Sequence, residues 1–144
     1  MRPEETLDHH IKSSWLSISR LYNQLSSKYH LTQAMSYVLM IIDVKKGTPA
    51  TKIGPLMGTE ATALSRLLKN MEVEGLIFRL RDERDRRKVR IFLTGKGLEK
   101  RKIAFSVVQS FNNKLNDRLS EKEIETFLKV INKVQLVVDQ YKSN

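Results

Sequence analysis

Residues 48–94 read TPATKIGPLMGTEATALSRLLKNMEVEGLIFRLRDERDRRKVRIFLT, and the order of helix and strand signals in this stretch decides the fold. Thr48 and Pro49 predict the start of a short helix, because proline is favoured in a first helical turn. Gly58 predicts the end of that helix. Pro55 lies inside it and lacks a backbone N–H, so we expect the helix to be short or distorted.

A second helix is predicted from about Glu60 to Glu74, with Thr59 as its N-cap and Gly75 at its end. Apolar residues at helical spacing would form its buried face: Leu64, Leu67, Leu68 and Met71. Two helices joined by a tight turn at Gly58 form a helix-turn-helix pattern. On its own this pattern is common among helical proteins.

Two strand-like segments follow, Leu76–Leu80 and Val89–Leu93, and the second alternates apolar and other residues. They predict a β-hairpin with a polar loop over residues 81–88. Seven basic residues lie in or beside this loop, six of them arginine: Arg79, Arg81, Arg84, Arg86, Arg87, Lys88 and Arg90. A charge run is usually a solvated surface, but arginine is a good ligand for phosphate and DNA grooves, and strands would hold these side chains in place. A basic hairpin after a helix-turn-helix occupies the position of a wing.

Amphipathic helices are predicted before this region. Apolar residues recur every three or four positions from Leu7 to Tyr29, which indicates one long helix. A second helix is expected to begin after Thr32 as its N-cap and to end at Lys45-Lys46-Gly47.

Two further amphipathic helices are predicted after the hairpin. Thr94 would cap the first, whose stripe comprises Ile103, Val107, Phe111, Leu115 and Leu119. Ser120 and Glu123 form a capping box for the second. We expect that last helix to bury its apolar residues, which are Ile124, Phe127, Leu128, Ile131, Val134, Val138 and Tyr141.

Length and charge narrow the class of protein. The 144 residues suit one domain, and the net charge of +10 favours a polyanionic partner, nucleic acid before a membrane surface. Residues 46–100 alone carry 13 basic and seven acidic residues. The absence of cysteine excludes disulfides, thiolate zinc sites and thiol-based sensing. The N-terminus lacks a secretory signal and no apolar run suits a membrane span, so we expect a soluble, cytoplasmic protein.

Residues 58–77 resemble the recognition helix of MarR-type regulators, which typically reads Ser-Arg-Leu, then Leu-Glu, then Gly-Leu-Ile. Asp85-Arg86-Arg87 and Leu93-Thr94 are similar to the family's wing motifs. The motifs cover residues 58–94, and the helix order covers the whole chain. Glu60 and Ala61 depart from the small polar or basic residues that the family often has there, which leaves open the DNA sequence that is read.

The resemblance implies a mainly α fold with a small β-hairpin wing, in a single MarR-like domain over residues 1–144. Residues 1–30 and 95–144 would form dimerisation helices, and residues 31–94 a winged helix-turn-helix lobe, called here the winged lobe. Such regulators are usually homodimeric repressors that bind a pseudo-palindromic operator in double-stranded DNA, and many are released by a small ligand. An internal three-helix core is the alternative use of the long helices; palindromic recognition favours the dimer.

A recognition helix presents its N-terminal half to the base edges of the major groove. Thr62 and Ser65 are hydroxyls that can meet bases or phosphates, and Arg66 can meet guanine or phosphate. For the two hydroxyls, ordinary helix surface or bonding to the helix's own backbone is an equal alternative. Lys69 is predicted to contact phosphate.

On the wing, Arg86 and Arg87 are predicted to enter the minor groove, where narrow A/T tracts concentrate negative potential. Arg84 and Lys88 are predicted phosphate contacts, with solubility as the alternative role. By analogy with the family, Asp85 would be held by a wing arginine, Arg87, and orient the tip.

The family's ligands bind between the dimer region and the DNA-binding lobe. The candidate lining residues are Trp15, Arg20, Tyr22, His30 and Tyr37, a set that would suit a planar aromatic or anionic ligand. For Trp15 and Tyr22, plain packing on their helical stripe is the stronger alternative. The histidines do not have metal-ligand spacing, so no metal or other cofactor is expected.

Other functions fit the sequence less well. An enzyme is not expected, because a glycine-rich phosphate loop, a Ser/His/Asp arrangement and a cysteine nucleophile are all missing from the sequence. A sequence-independent basic nucleic-acid-binding protein remains an alternative, as does a protein-interaction module. The basic hairpin directly after a recognition-like helix favours specific binding of duplex DNA.

Overall fold

The structure, a computed structural model, describes residues 1–143, and it is mainly α-helical with one small antiparallel sheet. This confirms the predicted fold class. After a single 3-10 turn at Pro3–Glu5, the elements are α1 (Leu7–Ser27), α2 (Gln33–Ile41), β1 (Thr48–Pro49), α3 (Ala50–Met57), α4 (Ala61–Val73), β2 (Ile77–Arg81), β3 (Val89–Leu93), α5 (Gly95–Asn116) and α6 (Glu121–Lys142). The chain divides into two compact units, one over residues 1–108 and one from Gln109 onwards.

The winged lobe has its own hydrophobic core. Its buried residues come from the segment before α2, from α2, α3 and α4, and from the sheet: Leu31, Val38, Leu39, Ile42, Ile53, Leu64, Leu68, Met71, Leu76, Ile77 and Ile91. Of the predicted α4 face, Leu67 alone is only partly buried. Each fully buried side chain of this size contributes about 1.5–3 kcal/mol, so this cluster holds the helix-turn-helix and the base of the wing together.

The sheet has the order β1-β3-β2, and all neighbours are antiparallel. Thr48 and Pro49 pair with Ile91 and Arg90 across the edge of β3. They are therefore a short strand, and the prediction that they open a helix was wrong. Pro49 instead is the N-cap of α3, which begins at Ala50. Pairing over more than 40 residues of sequence overrides the local helix-start signal.

The second helix ends earlier than its sequence suggested. α2 stops at Ile41, whereas the lysines and glycine at 45–47 lie in a following turn. Asp43 organises this turn, because its Oδ1 accepts hydrogen bonds from the backbone N–H groups of Lys45 (2.9 Å) and Lys46 (2.8 Å). Gly47 has φ +66°, and a Cβ there would come within 2.8 Å of the Ile91 carbonyl and the Phe92 ring. The turn is thus pressed against β3.

Most predicted caps are confirmed. Thr32 accepts from the Met35 N–H (3.1 Å), Thr94 accepts from the Gly97 N–H (3.0 Å), and Ser120 begins the capping box of α6. The prediction for Thr59 was wrong: Glu60 occupies the N-cap position of α4, and the Thr59 hydroxyl donates back to the Met57 carbonyl (3.3 Å).

Of the three glycines predicted to stop helices, two do so, both in the left-handed region. Gly58 ends the eight-residue α3 with φ +63°, and Gly75 follows α4 with φ +73°. Leu119, counted in the stripe of α5, lies beyond its last residue, Asn116. α3 is short as expected and contains Pro55.

The first turns of α5 bind the ends of three other helices. The Lys96 Nζ donates to the Glu74 carbonyl after α4 (2.8 Å), and the Lys100 Nζ donates to the Tyr29 carbonyl after α1 (2.7 Å). The Arg101 Nε donates to the Leu39 carbonyl in the last turn of α2 (3.1 Å). Carbonyls at helix ends lack intrahelical partners and carry partial negative charge, so cations stabilise them there.

α6 differs from the winged lobe, because within Glu121–Lys142 no residue is buried. The predicted burial of its apolar residues is wrong for the single chain. Phe127 is 61% exposed and Leu136 62%. Apolar residues are also exposed on α1: Leu7, Ile11, Trp15 and Leu16. None of the described helices is long and apolar enough to span a membrane.

Candidate nucleic-acid interface

α4 has two chemically different faces. Leu64, Leu68 and Met71 are buried in the lobe core. The four predicted DNA contacts of this helix are exposed: Thr62, Ser65, Arg66 and Lys69. Their spacing of three and four residues places them on one side of the helix, opposite the buried leucines. The helix therefore offers two hydroxyls and two cations together to a partner.

Polar contacts join the end of α4 to the base of the wing. Thr94 ties the end of β3 to the start of β2, since its backbone N–H donates to the Leu76 carbonyl (3.0 Å) and its hydroxyl to the Gly75 carbonyl. The Arg79 Nε lies 3.3 Å from the Glu72 Oε2. This ion pair is well solvated, so it adds little stability.

The wing loop, residues 82–88, is closed by its own backbone. The Asp82 N–H donates to the Lys88 carbonyl, and the Lys88 N–H to the Asp85 carbonyl, both at 2.9 Å. The loop is one residue shorter than the predicted 81–88, because Arg81 belongs to β2. All four predicted basic contacts of the wing are exposed: Arg84, Arg86, Arg87 and Lys88.

Asp85 has the environment that was expected of it. Its Oδ1 accepts from the Arg87 backbone N–H (3.1 Å) and lies 3.4 Å from the Arg87 Nε. The Arg87 side chain is still 93% exposed. The carboxylate thus shapes the turn of the tip while leaving the guanidinium accessible.

Asp82 and Arg90 form a second arrangement in the wing, which the sequence analysis missed. The Arg90 Nη1 donates to the Asp82 Oδ2 (3.2 Å), its Nε to the Lys46 carbonyl (3.0 Å) and its Nη2 to the Gly47 carbonyl (3.2 Å). The Arg90 and Asp82 side chains are 27% and 17% exposed. The contacts with Lys46 and Gly47 span more than 40 residues of sequence. The only signal of the pair in the sequence was an acid within a basic run.

The pKa of Asp82 is lowered from its ordinary value, chiefly because its carboxylate accepts the Arg84 backbone N–H. Partial burial opposes this shift, and the hydrogen bond from Arg90 adds to it. The pKa of Asp43 is lowered in the same way, first by the Lys46 N–H and then by the Lys45 N–H. Both carboxylates are therefore held in their charged form by the turns they organise.

A basic cleft of about 700 Å³ lies between the turn at residues 45–46 and the outer face of the hairpin. Its lining includes five cations from both sides, Lys45, Lys46, Arg81, Arg84 and Arg90, and two acids, Asp82 and Glu83. Lys45 and Lys46 were interpreted only as helix-end signals from the sequence. The structure adds them to the positive surface beside the wing.

An apolar cavity of about 180 Å³ lies among α1, α2 and α5. It is lined by Trp15, Tyr22, Ser26, Gln33, Ser36, Tyr37, Met40, Ala104, Val107 and Val108. Three of the five predicted ligand residues are present, but Arg20 and His30 are not among them. His30 lies in the turn after α1 with φ +59°. All ten lining residues are uncharged, which favours a neutral apolar ligand over the anionic one considered from the sequence.

Among residues 1–143, no group of three or more His, Asp or Glu side chains is arranged to hold a metal ion. His9 and His10 lie in the first turns of α1, and their rings touch edge to face with centroids 5.7 Å apart.

Comparisons with known proteins agree with this geometry. A model of the MarR family matches residues 31–89, from the segment before α2 to the start of β3. The HTH-type transcriptional regulator TtmR of Methylorubrum extorquens is 35% identical over 81 residues. That match covers 56% of this chain and 42% of TtmR, so the chain corresponds to less than half of that relative.

Two solved structures cover most of the chain. A crystal structure of an S. aureus MepR–DNA complex has a TM-score of 0.84 at 22% identity, covering 92% of this chain and 98% of that one, and it shares the fold. A mutant of MarR from E. coli, complexed with operator DNA, has a TM-score of 0.78 at 25% identity. It covers 89% of this chain and 92% of that one.

Proposed function

Because this chain belongs to the MarR family of winged helix-turn-helix proteins, we propose that it is a transcriptional regulator that binds double-stranded DNA sequence-specifically as a homodimer. One observation carries the proposal: an exposed polar face of α4 and an exposed arginine-rich wing are fixed to one hydrophobic core. The proposal has no catalytic step and locates the protein in the cytoplasm.

In this proposal α4 enters the major groove. Thr62, Ser65 and Arg66 reach base edges or phosphates near the N-terminal end of the helix, and Lys69 contacts the backbone. The core holds the orientation of the helix, because Leu64, Leu68 and Met71 lock its opposite face. Sequence preference then comes from the few side chains near the N-terminus of the helix.

The wing is proposed to act in the adjacent minor groove. Arg86 and Arg87 at its tip favour narrow A/T-rich tracts with strong negative potential. Arg84 and Lys88 add phosphate contacts, and Asp85 keeps the tip turned. Each phosphate neutralised releases counterions, so binding should weaken steeply with salt.

The homodimer is proposed from the exposed apolar residues of α1 and α6. A two-fold axis would present two copies of α4 to successive major grooves, about 10 bp apart on a pseudo-palindromic site. By occupying such a site the dimer would act as a repressor.

Selection from genomic DNA tests the proposal. The protein is incubated with sheared DNA from its own source, washed at high salt, and the retained fragments are sequenced. One or a few short inverted repeats are expected. Uniform recovery without a motif would support the sequence-independent alternative, and recovery of nothing would favour a protein-interaction module.

We also propose that the apolar cavity takes a small, neutral, aromatic effector that releases the DNA. Trp15 lines the cavity and is the single tryptophan of the chain, so its fluorescence should change when a compound binds there at a fixed protein concentration. Titration with uncharged aromatic compounds should shift this emission and weaken duplex binding together. Spectral change without loss of duplex affinity would contradict a regulatory role.

A further inference from the structure

Arg90 connects three parts of the winged lobe through one guanidinium group. It lies on β3, while its acceptors are the carbonyls of Lys46 and Gly47 in the turn after α2 and the carboxylate of Asp82 at the start of the wing loop. Three of its donors are thereby used within the protein. Arg90 is the member of the arginine run that is least available to a partner.

Asp82 continues the connection into the loop. Its Oδ1 accepts the backbone N–H of Arg84 (2.8 Å) and that of Asp85 (3.3 Å), while its Oδ2 accepts from Arg90. One carboxylate thus fixes both the start of the basic loop and the side chain that anchors the loop to the lobe. Hydrogen bonds to a charged group are stronger than neutral ones, which suits this role.

The rest of the hairpin base gives the wing a limited attachment. β1 contributes only two residues to the sheet, Thr48 and Pro49, and Pro49 faces Arg90 itself. The loop carries several like charges, which repel one another. A bridge from the loop to the turn at residues 46–47 therefore restricts the angle at which the wing projects.

We propose that Asp82 and Arg90 are positioning residues that set the orientation of the wing for DNA, so that an acidic side chain in the basic loop strengthens DNA binding. The proposal rests on the DNA-binding function proposed above. It assigns the two residues no contact with the nucleic acid. They act through Arg84, Arg86 and Arg87, whose loop they hold.

The positioning role and the net charge predict opposite changes in DNA affinity when Asp82 is replaced. Removing the Asp82 carboxylate raises the net charge by one, so a uniform charge effect would tighten DNA binding. Loss of positioning would weaken it. Glu83 is the matched control, because it is the adjacent residue, is exposed, and changes the net charge equally when replaced by alanine.

The experiment compares full-length Asp82→Ala, Glu83→Ala and Arg90→Ala proteins with the wild type. The probes are a fluorescein-labelled duplex carrying the inverted repeat from the genomic selection and a random duplex of equal length. Affinity is measured over a series of salt concentrations. We expect Asp82→Ala and Arg90→Ala to bind the repeat about tenfold more weakly. Glu83→Ala should bind as well as the wild type or more tightly.

The salt dependence separates positioning from direct contact. Asp82→Ala and Arg90→Ala should reduce the slope of log affinity against log salt by the same amount, although they change the net charge in opposite directions, because both displace the wing arginines from the DNA. If Arg90 contacted phosphate directly, only Arg90→Ala would reduce the slope. The Asp82→Ala/Arg90→Ala double variant should lose no more affinity than either single variant, since both break one connection. Tighter binding by Asp82→Ala, or a slope reduced in Arg90→Ala but not in Asp82→Ala, would overturn the proposal.

Amide hydrogen exchange gives a readout without DNA. The Arg84 and Asp85 amides should exchange faster in Asp82→Ala than in Glu83→Ala, while the core amides of α4 remain protected. The milder Asp82→Asn variant covers the case in which Asp82→Ala unfolds. If the wild type bound neither duplex, the proposed function would fail. If it bound the repeat while the loop amides were unaffected, the positioning role alone would be overturned.

Discussion

The winged lobe and α6 have similar apolar residues but use them differently. In the lobe, Leu39 and Ile53 are completely buried, and the helices and sheet share one core. In α6, Phe127 and Leu136 are more than half exposed. The lobe therefore has a hydrophobic core of its own. α6 is an equally regular, well-capped helix. Its exposed apolar residues can contribute to stability only when another surface covers them.

The largest predicted effect is the loss of stability when a side chain of the lobe core is truncated. Leu39→Ala removes a fully buried side chain, and we expect it to lower the free energy of unfolding by about 3 kcal/mol. Urea unfolding followed by circular dichroism measures this. The control is Leu56→Ala in α3, where the side chain is 55% exposed and the change should stay within about 0.5 kcal/mol. Equal effects would remove the contrast between core and surface.

The next prediction concerns the exposed residues of α6. Phe127→Glu with Val138→Glu, two exposed residues on one face of α6, should convert a dimer to a monomer in sedimentation, because charges would have to be buried at the subunit contact. The lobe should keep its protection from hydrogen exchange, while affinity for an inverted-repeat duplex falls about 100-fold through lost avidity. Asn132→Glu with Gln140→Glu adds the same charge to the helix and should preserve the dimer. An unchanged mass in the first pair would show that α6 is not the dimer contact.

Replacing two arginines of the wing should weaken DNA binding without affecting the dimer. Arg86→Ala with Arg87→Ala is expected to weaken duplex binding at least tenfold and to reduce the salt slope by about two, with the dimer intact. Lys12→Ala with Lys28→Ala removes the same charge from α1 and its C-cap, and should have a much smaller effect. Unchanged affinity of the wing variant at physiological salt would disprove the wing assignment.

The smallest predicted effect is the loss of stability in the first turn of α6 at low pH. The pKa of Glu123 lies below its ordinary value of 4.5, because its carboxylate accepts the Ser120 backbone N–H and then the Ser120 hydroxyl. A depressed pKa means that the stabilisation is present above pH 4.5 and is lost as the pH falls through the lowered value. The first turn of α6 should then fray, which amide exchange near Ser120 detects. Glu123→Gln should abolish this pH dependence.

The features that depend on neighbouring residues could be predicted from the sequence. Gly58, Gly75, Thr32 and the Ser120–Glu123 box act within three or four residues, and the structure confirms them. Alternation and periodicity likewise predicted the hairpin and the buried face of α4.

The features that were missed depend on distant partners. β1 exists because Thr48 and Pro49 lie against β3, and α2 ends early because Asp43 turns the chain toward that strand. In the sequence Arg90 is one of seven basic residues in and beside the loop. Its three acceptors come close to it only in the folded chain. The roles of the predicted contacts in α4 and the wing remain predictions for the DNA measurements above.

The contacts made by the start of α5 have a practical consequence for anyone who isolates the winged lobe. Lys96, Lys100 and Arg101 donate to the carbonyls that close α4, α1 and α2. A fragment cut after Thr94 would contain the whole hairpin yet leave those three helix ends uncovered. The shortest fragment suited to expression and labelling therefore extends through the first turns of α5, to Val108, where the first compact unit ends.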